Sequence, residues 1–326
     1  MSKIVNKRIN EIKESLDTSL DTLEVTSDFF LTKSHEQSYY AALSKARTIQ
    51  SNNRLIDVSS KDWKKKYWKT FHCKNTLLQN GSKSKGELCR KRWCENCNRI
   101  KTAEMMNGYS KPLQDLQEED DLYFITLTSK TVQEKRLRHE IERRYKAFTR
   151  IKDNLRKNHN IKLVGCRKLE VTYNEKEDWY HPHFHFIQKG KREAEMLLEY
   201  WYKHNPLAGA GGQSIKLIDA NNSKSLIELF KYATKEVAKD EINAKALHNI
   251  YKAIDRKRVF QTYGKLRKVK EIKEAKEEFN DLDFIKPNSE IWVYDLALKD
   301  YTNAYDQELI GTIQIEYDIE EAEYKK

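Results

Sequence analysis

Three histidines alternate with other residues in the stretch 180–187 (YHPHFHFI), at positions 181, 183 and 185. Successive side chains of a β-strand point to opposite faces, so His181, His183 and His185 share one face, and Pro182, Phe184 and Phe186 the other. One face can hold a metal while the other packs a core. Imidazoles one residue apart project in parallel, roughly 6–7 Å apart at the backbone, and can converge on one divalent ion. If the segment before this strand pairs with it across the polar turn at 174–179, Tyr173 falls opposite Tyr180. Glu170 then falls opposite His183 on the same face, which makes Glu170 the natural oxygen ligand. A second centre is suggested upstream, where Cys73, Cys89, Cys94 and Cys97 are separated by fifteen, four and two residues. A two-residue knuckle closed by further thiolates is what a tetrahedral zinc site needs. Arg90, Lys91, Arg92, Arg99 and Lys101 surround it, a setting suited to phosphate contact. Further on, in 223–239 (SKSLIELFKYATKEVAK), Glu228 and Tyr232 are one helical turn apart. They lie off the apolar stripe of Leu226, Phe230, Ala233 and Val237, with Lys231 and Lys235 beside them.

The elements that must position these residues are legible from periodicity. Residues 122–129 (LYFITLTS) alternate as a strand, with Phe124, Thr126 and Thr128 on one face. Residues 131–158 lack proline and glycine and are expected to form a long helix. Strands are expected over 163–173 and 180–187, a second helix over 191–204, a glycine-rich loop over 207–212 and a short strand over 214–219. This βαββαβ order predicts an α+β, ferredoxin-like antiparallel sheet with helices on one face and the other free for a ligand. Four regions follow: a helical segment over 1–60, a cysteine-rich zinc module over 61–110, the sheet domain over 118–245, and a basic and acidic region over 246–326. In the first, Ile4, Ile9, Ile12, Leu16 and Leu20 recur at near-helical spacing. In the last, a helix over 271–280 and strands over 291–294 and 311–317 are expected, and the basic residues Arg256, Lys257, Arg258, Arg267 and Lys268 around FQTYG at 260–264 are either a nucleic-acid contact or a solvated helical face.

Composition narrows the class. The net charge of +11 (61 Lys plus Arg against 50 Asp plus Glu) favours a polyanionic partner. No apolar run approaches the roughly 20 residues of a membrane span, and the N-terminus lacks the apolar core of a secretory signal. A cytoplasmic protein without a membrane partner is therefore expected. Five cysteines, four of them between 73 and 97, fit a metal site in a reducing compartment better than a disulfide framework.

Taken in order, FITLTS at 124–129, HPHFH at 181–185 and ELFKYATKE at 228–236, with CRKRWCENC at 89–97 ahead of them, resemble the rolling-circle replication initiators of small plasmids, in the HUH endonuclease superfamily. The resemblance spans about 73–239. It implies that His183 and His185 bind a catalytic divalent ion, that Tyr232 attacks the DNA, and that Glu228, as in the single-tyrosine plasmid subgroup, serves the terminating cleavage. The cysteine segment departs from the pattern at Glu95, where a proline is common. The implied activity is nicking of the plasmid double-strand origin through a 5′-phosphotyrosyl intermediate, leaving a 3′-hydroxyl primer, with rejoining at termination. A catalytic Mn²⁺ or Mg²⁺ and a structural Zn²⁺ are the expected cofactors, and a host helicase and polymerase the expected partners besides DNA. Lys231, Lys235, Arg90 and Arg92 are the candidate DNA contacts.

Three other readings stand beside this one. Histidine-triad nucleotide hydrolases carry H-x-H-x-H followed by two apolar residues, which HPHFHFI satisfies, but they predict neither Glu228 and Tyr232 nor the cysteines and positive charge. A zinc-containing DNA-binding regulator would use the histidine strand structurally. A mobilisation relaxase or single-strand transposase shares the metal strand and the tyrosine.

Overall fold

A computed structural model describes residues 35–80, 83–230, 238, 240–269, 290–298 and 300–304. In chain order they form α1 (His35–Asp57), α2 (Lys61–Trp68), β1 (Thr76–Asn80), β2 (Lys83–Gly86), α3 (Glu95–Glu119), β3 (Leu122–Thr128), α4 (Glu134–His159), β4 (Gly165–Asn174), β5 (Trp179–Lys189), α5 (Lys191–His204), β6 (Ser214–Ile218), α6 (Ser223–Phe230), α7 (Glu241–Ala253), β7 (Phe260–Tyr263), β8 (Glu290–Asp295) and β9 (Asp300–Asn303). The expected βαββαβ run is present as β3-α4-β4-β5-α5-β6. The N-terminal apolar repeat Ile4, Ile9, Ile12, Leu16 and Leu20, the helix expected over 271–280 and the strand expected over 311–317 lie outside the described residues. So do Lys231, Tyr232 and Lys235.

The architecture is mixed α+β with two antiparallel sheets, of order β6-β3-β5-β4-β7 and β2-β1-β8-β9. Helix α4 forms because 134–159 holds no helix breaker and sets Leu137, Ile141, Phe148, Ile151 and Leu155 along one buried stripe. It stops at Asn160, whose left-handed backbone (φ 54°) lets its N–H cap the Leu155 carbonyl. That stripe and α5, through Ala194, Leu197 and Trp201, cover the sheet face carrying Ile125, Leu127, Leu169, Phe184 and Phe186. This is the larger core, and the alternation of the sequence placed its strand side correctly.

The opposite face departs from expectation, because it is not wholly free. Met105, Met106, Tyr109, Leu113 and Leu116 of α3 and Leu226, Leu229 and Phe230 of α6 pack with Leu122, Cys166 and Ile187 in a second core. Apolar residues at the start of β3 and the end of β5 demand that cover, whereas the polar rows beyond them do not. FQTY also differs from the helical-face alternative, since 260–263 is strand β7 and pairs with β4 from Gly165↔Tyr263 to Lys168↔Phe260. Strands β8 and β9 complete the sheet begun by β1 and β2 beside the cysteines, with Leu77 opposite Trp292 and Tyr294 opposite Tyr301. No described helix is long and apolar enough to cross a membrane.

Candidate metal centres

The hairpin of β4 and β5 turns through 174–179, where Asp178 adopts a left-handed backbone (φ 52°). Its register sets Tyr173 opposite Tyr180 and Glu170 opposite His183, as the strand arithmetic expected. On the other side of β5, Thr126 pairs with His185 and Thr128 with His183. Glu170, His183 and His185 therefore meet on the same sheet face beyond the second core, Glu170 and His183 buried and His185 half-buried, and one ligand atom from each lies within 4.8 Å of the others. His185 Nε2 lies 3.3 Å from Glu170 Oε2.

Neighbours orient both rings. His183 Nδ1 lies 3.1 Å from the His181 carbonyl and donates to it, which leaves Nε2 to face the cluster. His185 Nδ1 shares a 3.1 Å hydrogen bond with Thr126 Oγ1. Such outer hydrogen bonds fix tautomer and orientation in metal sites. Burial works against an ionised Glu170, yet its hydrogen bond with His185 and the charges of Lys168 and His183 reverse this and hold its carboxyl at about 2. Burial, reinforced by His185, lowers His183 to about 4. At neutral pH Glu170 is an ionised carboxylate and His183 a neutral imidazole, the forms that ligation requires. Two imidazoles and a carboxylate can hold a divalent ion.

Lys168 was not anticipated. It is buried opposite His185, with Nζ 3.4 Å from Glu170 Oε2, so the centre carries a fixed cation beside its carboxylate. Its place two residues before Glu170 on the same strand face was the available signal. The end of β3 is held rigidly. Gln213 Oε1 accepts from the Thr128 N–H at 2.8 Å, and its Nε2 donates to Thr128 Oγ1 at 2.8 Å. Trp201 Nε1 donates to the Thr128 carbonyl at 2.7 Å. Next in sequence, Ser129 joins Glu140 and the fully buried Arg144, whose Nη2 lies 2.6 Å from Ser129 Oγ.

The four cysteines also converge. Cys73 Sγ is 3.5 Å from the sulfurs of Cys94 and Cys97, and Cys89 Sγ is 3.7 Å from Cys97. These are far from bonded disulfides and near the ~3.8 Å edge of a tetrahedron with Zn–S of about 2.3 Å. The N–H groups of Cys89 and Arg90 point at the sulfurs of Cys73 and Cys97, at 3.5 and 3.2 Å. Hydrogen bonds from Cys89, Cys94 and Cys97 pull the Cys73 thiol well below its ordinary range. Lys45 of α1 is fully buried beside them and donates to the carbonyls of Phe71 and Cys73, each at 2.5 Å. The donor set fits a metal ion.

Of the other expected site residues, Arg90 is exposed on a left-handed backbone (φ 52°) next to the cysteines. Arg92 instead turns inward, giving Nη1 to the Ile254 carbonyl (2.7 Å) and Nη2 to the Lys257 carbonyl (2.6 Å), so it braces the cysteine region against the end of α7. Glu228 belongs to α6, but its side chain lies outside the described residues.

A sheet face with a His-His-Glu cluster, together with a separate four-cysteine cluster, defines an α+β protein with two potential metal centres. Comparison with known proteins adds the particular similarity. Residues 81–191, which include both β4 and β5, match the model of a family described as replication protein. The chain is 29% identical over 164 residues to a Protein rep of Staphylococcus aureus, a match covering 47% of this chain and 71% of that one. It is 24% identical over 201 residues to a Protein rep of Streptococcus pneumoniae, covering 56% of this chain and 62% of the relative, and 36% identical over 69 residues to one of Bacillus amyloliquefaciens, covering 21% and 20%. No solved structure gives a significant match. The resemblance to plasmid replication initiators that the motifs carry thus holds in the comparisons as well. The family match includes Cys89, Cys94, Cys97, Glu170, His183 and His185, and ends before Glu228 and Tyr232.

Proposed function

We propose that this protein initiates rolling-circle replication of a plasmid by nicking one strand of its origin, on a ferredoxin-like HUH nuclease scaffold. The observation that carries this reading is the Glu170–His183–His185 cluster on the sheet face against which α6, the helix that leads into Tyr232, also packs. The order β6-β3-β5-β4, with the first strand of the βαββαβ run at the inside of the sheet, supports the scaffold. Similarity to replication proteins supports an initiator over a relaxase or transposase. The nicking unit we infer extends past 245 to include α7 and β7, and the β8-β9 hairpin belongs with the cysteine module.

Tyr232 Oη attacks the scissile phosphorus, forming the 5′-phosphotyrosyl ester as the bond to the 3′ oxygen breaks and that oxygen leaves as a 3′-hydroxyl. A phenol of pKa near 10 is a weak nucleophile at neutral pH. A bound Mn²⁺ or Mg²⁺ supplies Lewis-acid polarisation of the phosphate. Glu170, His183 and His185 hold that ion, Thr126 and the His181 carbonyl orient the rings, and Lys168 keeps Glu170 ionised. Glu228, one turn before Tyr232, positions and deprotonates a water for the closing cleavage. The cysteines hold a structural Zn²⁺ from which Arg90 meets the DNA backbone, and Lys231 and Lys235 flank the tyrosine for the same purpose. The 3′-hydroxyl then serves a host polymerase, with a host helicase opening the duplex, in the cytoplasm.

Incubation with a labelled origin-strand oligonucleotide and Mn²⁺ tests this. A covalent protein–DNA adduct, lost in Tyr232→Phe, is expected. Glu228→Ala is expected to keep the first nick on the oligonucleotide and, in replication of a circular plasmid carrying the origin, to yield products longer than one plasmid unit. An adduct that persists in Tyr232→Phe would overturn the nucleophile, and normal termination by Glu228→Ala would remove its role.

A further inference from the structure

The face of α4 turned away from the sheet carries a groove that the proposed nicking chemistry does not use. Where α4 meets the C-terminal end of α5, a cavity of about 200 Å³ is lined by His139, Arg143, Lys146, Arg150 and His204, together with Glu142. Positions 139, 143, 146 and 150 are spaced by four, three and four residues, so they form one stripe along the helix, roughly 16 Å long at 1.5 Å per residue. The free positive charge of this stripe lies at Lys146 and Arg150, because its other charged members, Arg143 and Glu142, are ion-paired. Glu142, the one carboxylate lining the groove among the described residues, is already held by Lys257 at 2.5 Å and by Arg138 at 3.5 Å. Lys146 and Arg150 are exposed and make no ion pair with any described residue. Arg143 is pre-positioned, with its guanidinium on Glu140 at 2.6 Å and near the His204 carbonyl at 3.5 Å. His204 is in turn tied to Asn154 at 3.4 Å.

We propose that this groove binds the phosphate backbone of duplex DNA without reading its sequence, as a second contact surface separate from the Glu170–His183–His185 centre. Lys146 and Arg150, exposed four residues apart on one helix face, match a polyanion that presents a charge every few ångströms. The groove's lining includes no Phe, Tyr or Trp, whereas single-strand binders combine basic grooves with aromatic platforms on which bases stack. Helix α4 packs against the Phe184 and Phe186 face, so DNA held here lies on the other side of the sheet from the histidines. The surface would hold duplex beyond the nick site while the sheet face works on the single strand. The identity of the polyanion rests on the nicking reading; the surface itself does not.

The test uses the full chain and a random-sequence duplex oligonucleotide, with binding measured by fluorescence anisotropy across a salt series. Lys146→Gln combined with Arg150→Gln, both at exposed positions, is expected to weaken duplex binding by roughly tenfold at low salt and to reduce the slope of log affinity against log salt by about 2, one for each lost phosphate contact. Cleavage of a single-stranded origin oligonucleotide by the same variant is expected to stay at the level of the unsubstituted protein. Unchanged duplex affinity and slope would overturn the proposal, as would an equal loss of affinity for a single-stranded oligonucleotide. Loss of cleavage with unaltered duplex binding would likewise count against it. If the unsubstituted protein binds duplex through this stripe but cleaves nothing, the nicking reading fails and the surface stands.

Discussion

At the scale of single residues, the metal cluster joins groups whose protonation states suit ligation before any ion arrives. Glu170 is held ionised by His185, Lys168 and His183 against its own burial, and His183 is held neutral by burial and by His185. Removing either histidine should act first on metal binding, because both rings converge on the cluster and neither belongs to the two apolar cores. His183→Ala and His185→Ala are each expected to lose Mn²⁺ binding by calorimetry and to lose Mn²⁺-dependent nicking, with thermal unfolding close to that of the unsubstituted protein. Full Mn²⁺-dependent nicking by either variant would contradict the assignment. Glu170 was accessible from sequence because a hairpin register preserves face, so one correct pairing fixes every other. Lys168 could have been found by the same rule, and was missed because a lone lysine in a strand carries no chemical signature by itself.

At the scale of elements, the strand end that holds Thr128 opposite His183 depends on a buried ion network behind it. Arg144 is fully buried, with Nε 3.1 Å from Glu140 Oε1 and Nη2 2.6 Å from Ser129 Oγ. Burial disfavours an ionised Glu140, but Arg143, Arg144 and Ser129 outweigh it and bring its carboxyl down to about 2. The sign is then determined. A folded-state pKa below the ordinary 4.5 contributes stability that is fully present above pH 4.5 and is lost as pH falls toward 2. Glu140→Ala leaves the Arg144 charge buried without its partner and is expected to cost about 3–5 kcal/mol in urea unfolding at pH 7. It should also flatten the acid limb of the stability profile between pH 4.5 and 2. An unchanged midpoint would show that Arg144 finds another counter-charge. Element types were readable from periodicity: α5 matches 191–204, and β3, β4, β5 and β6 fall within two residues of expectation at each end. Strand β7 was not readable, because four residues flanked by Arg256, Lys257, Arg258 and Arg267 look like surface until a partner edge on β4 is supplied.

At the scale of the whole molecule, the cysteine cluster gathers parts from across the chain. Lys45 from α1 reaches the carbonyls of Phe71 and Cys73, and Tyr301 of β9, over two hundred residues from Lys74, donates to the Lys74 carbonyl at 2.6 Å. A zinc held there therefore serves the packing of both ends of the described chain. Purified protein is expected to carry about one tightly held zinc by elemental analysis. Its removal by a strong chelator, or Cys94→Ser, should lower the melting temperature and expose the hairpin of β8 and β9 to proteolysis. A zinc-free protein with the same melting temperature and the same resistance would remove the structural role. The sequence by itself determined the alternating strand that presents His183 and His185, its hairpin register with Glu170, the cysteine knuckle and the βαββαβ order, because each is a local pattern whose period or spacing is set by backbone geometry. Only the tertiary structure decided that α3 and α6 cover half of the histidine face, that Arg92 turns inward to the end of α7, and that 290–303 completes the sheet beside the cysteines. Those outcomes depend on which apolar surfaces and strand edges remain unsatisfied once the local elements have formed, and residues far apart in the chain compete to cover them.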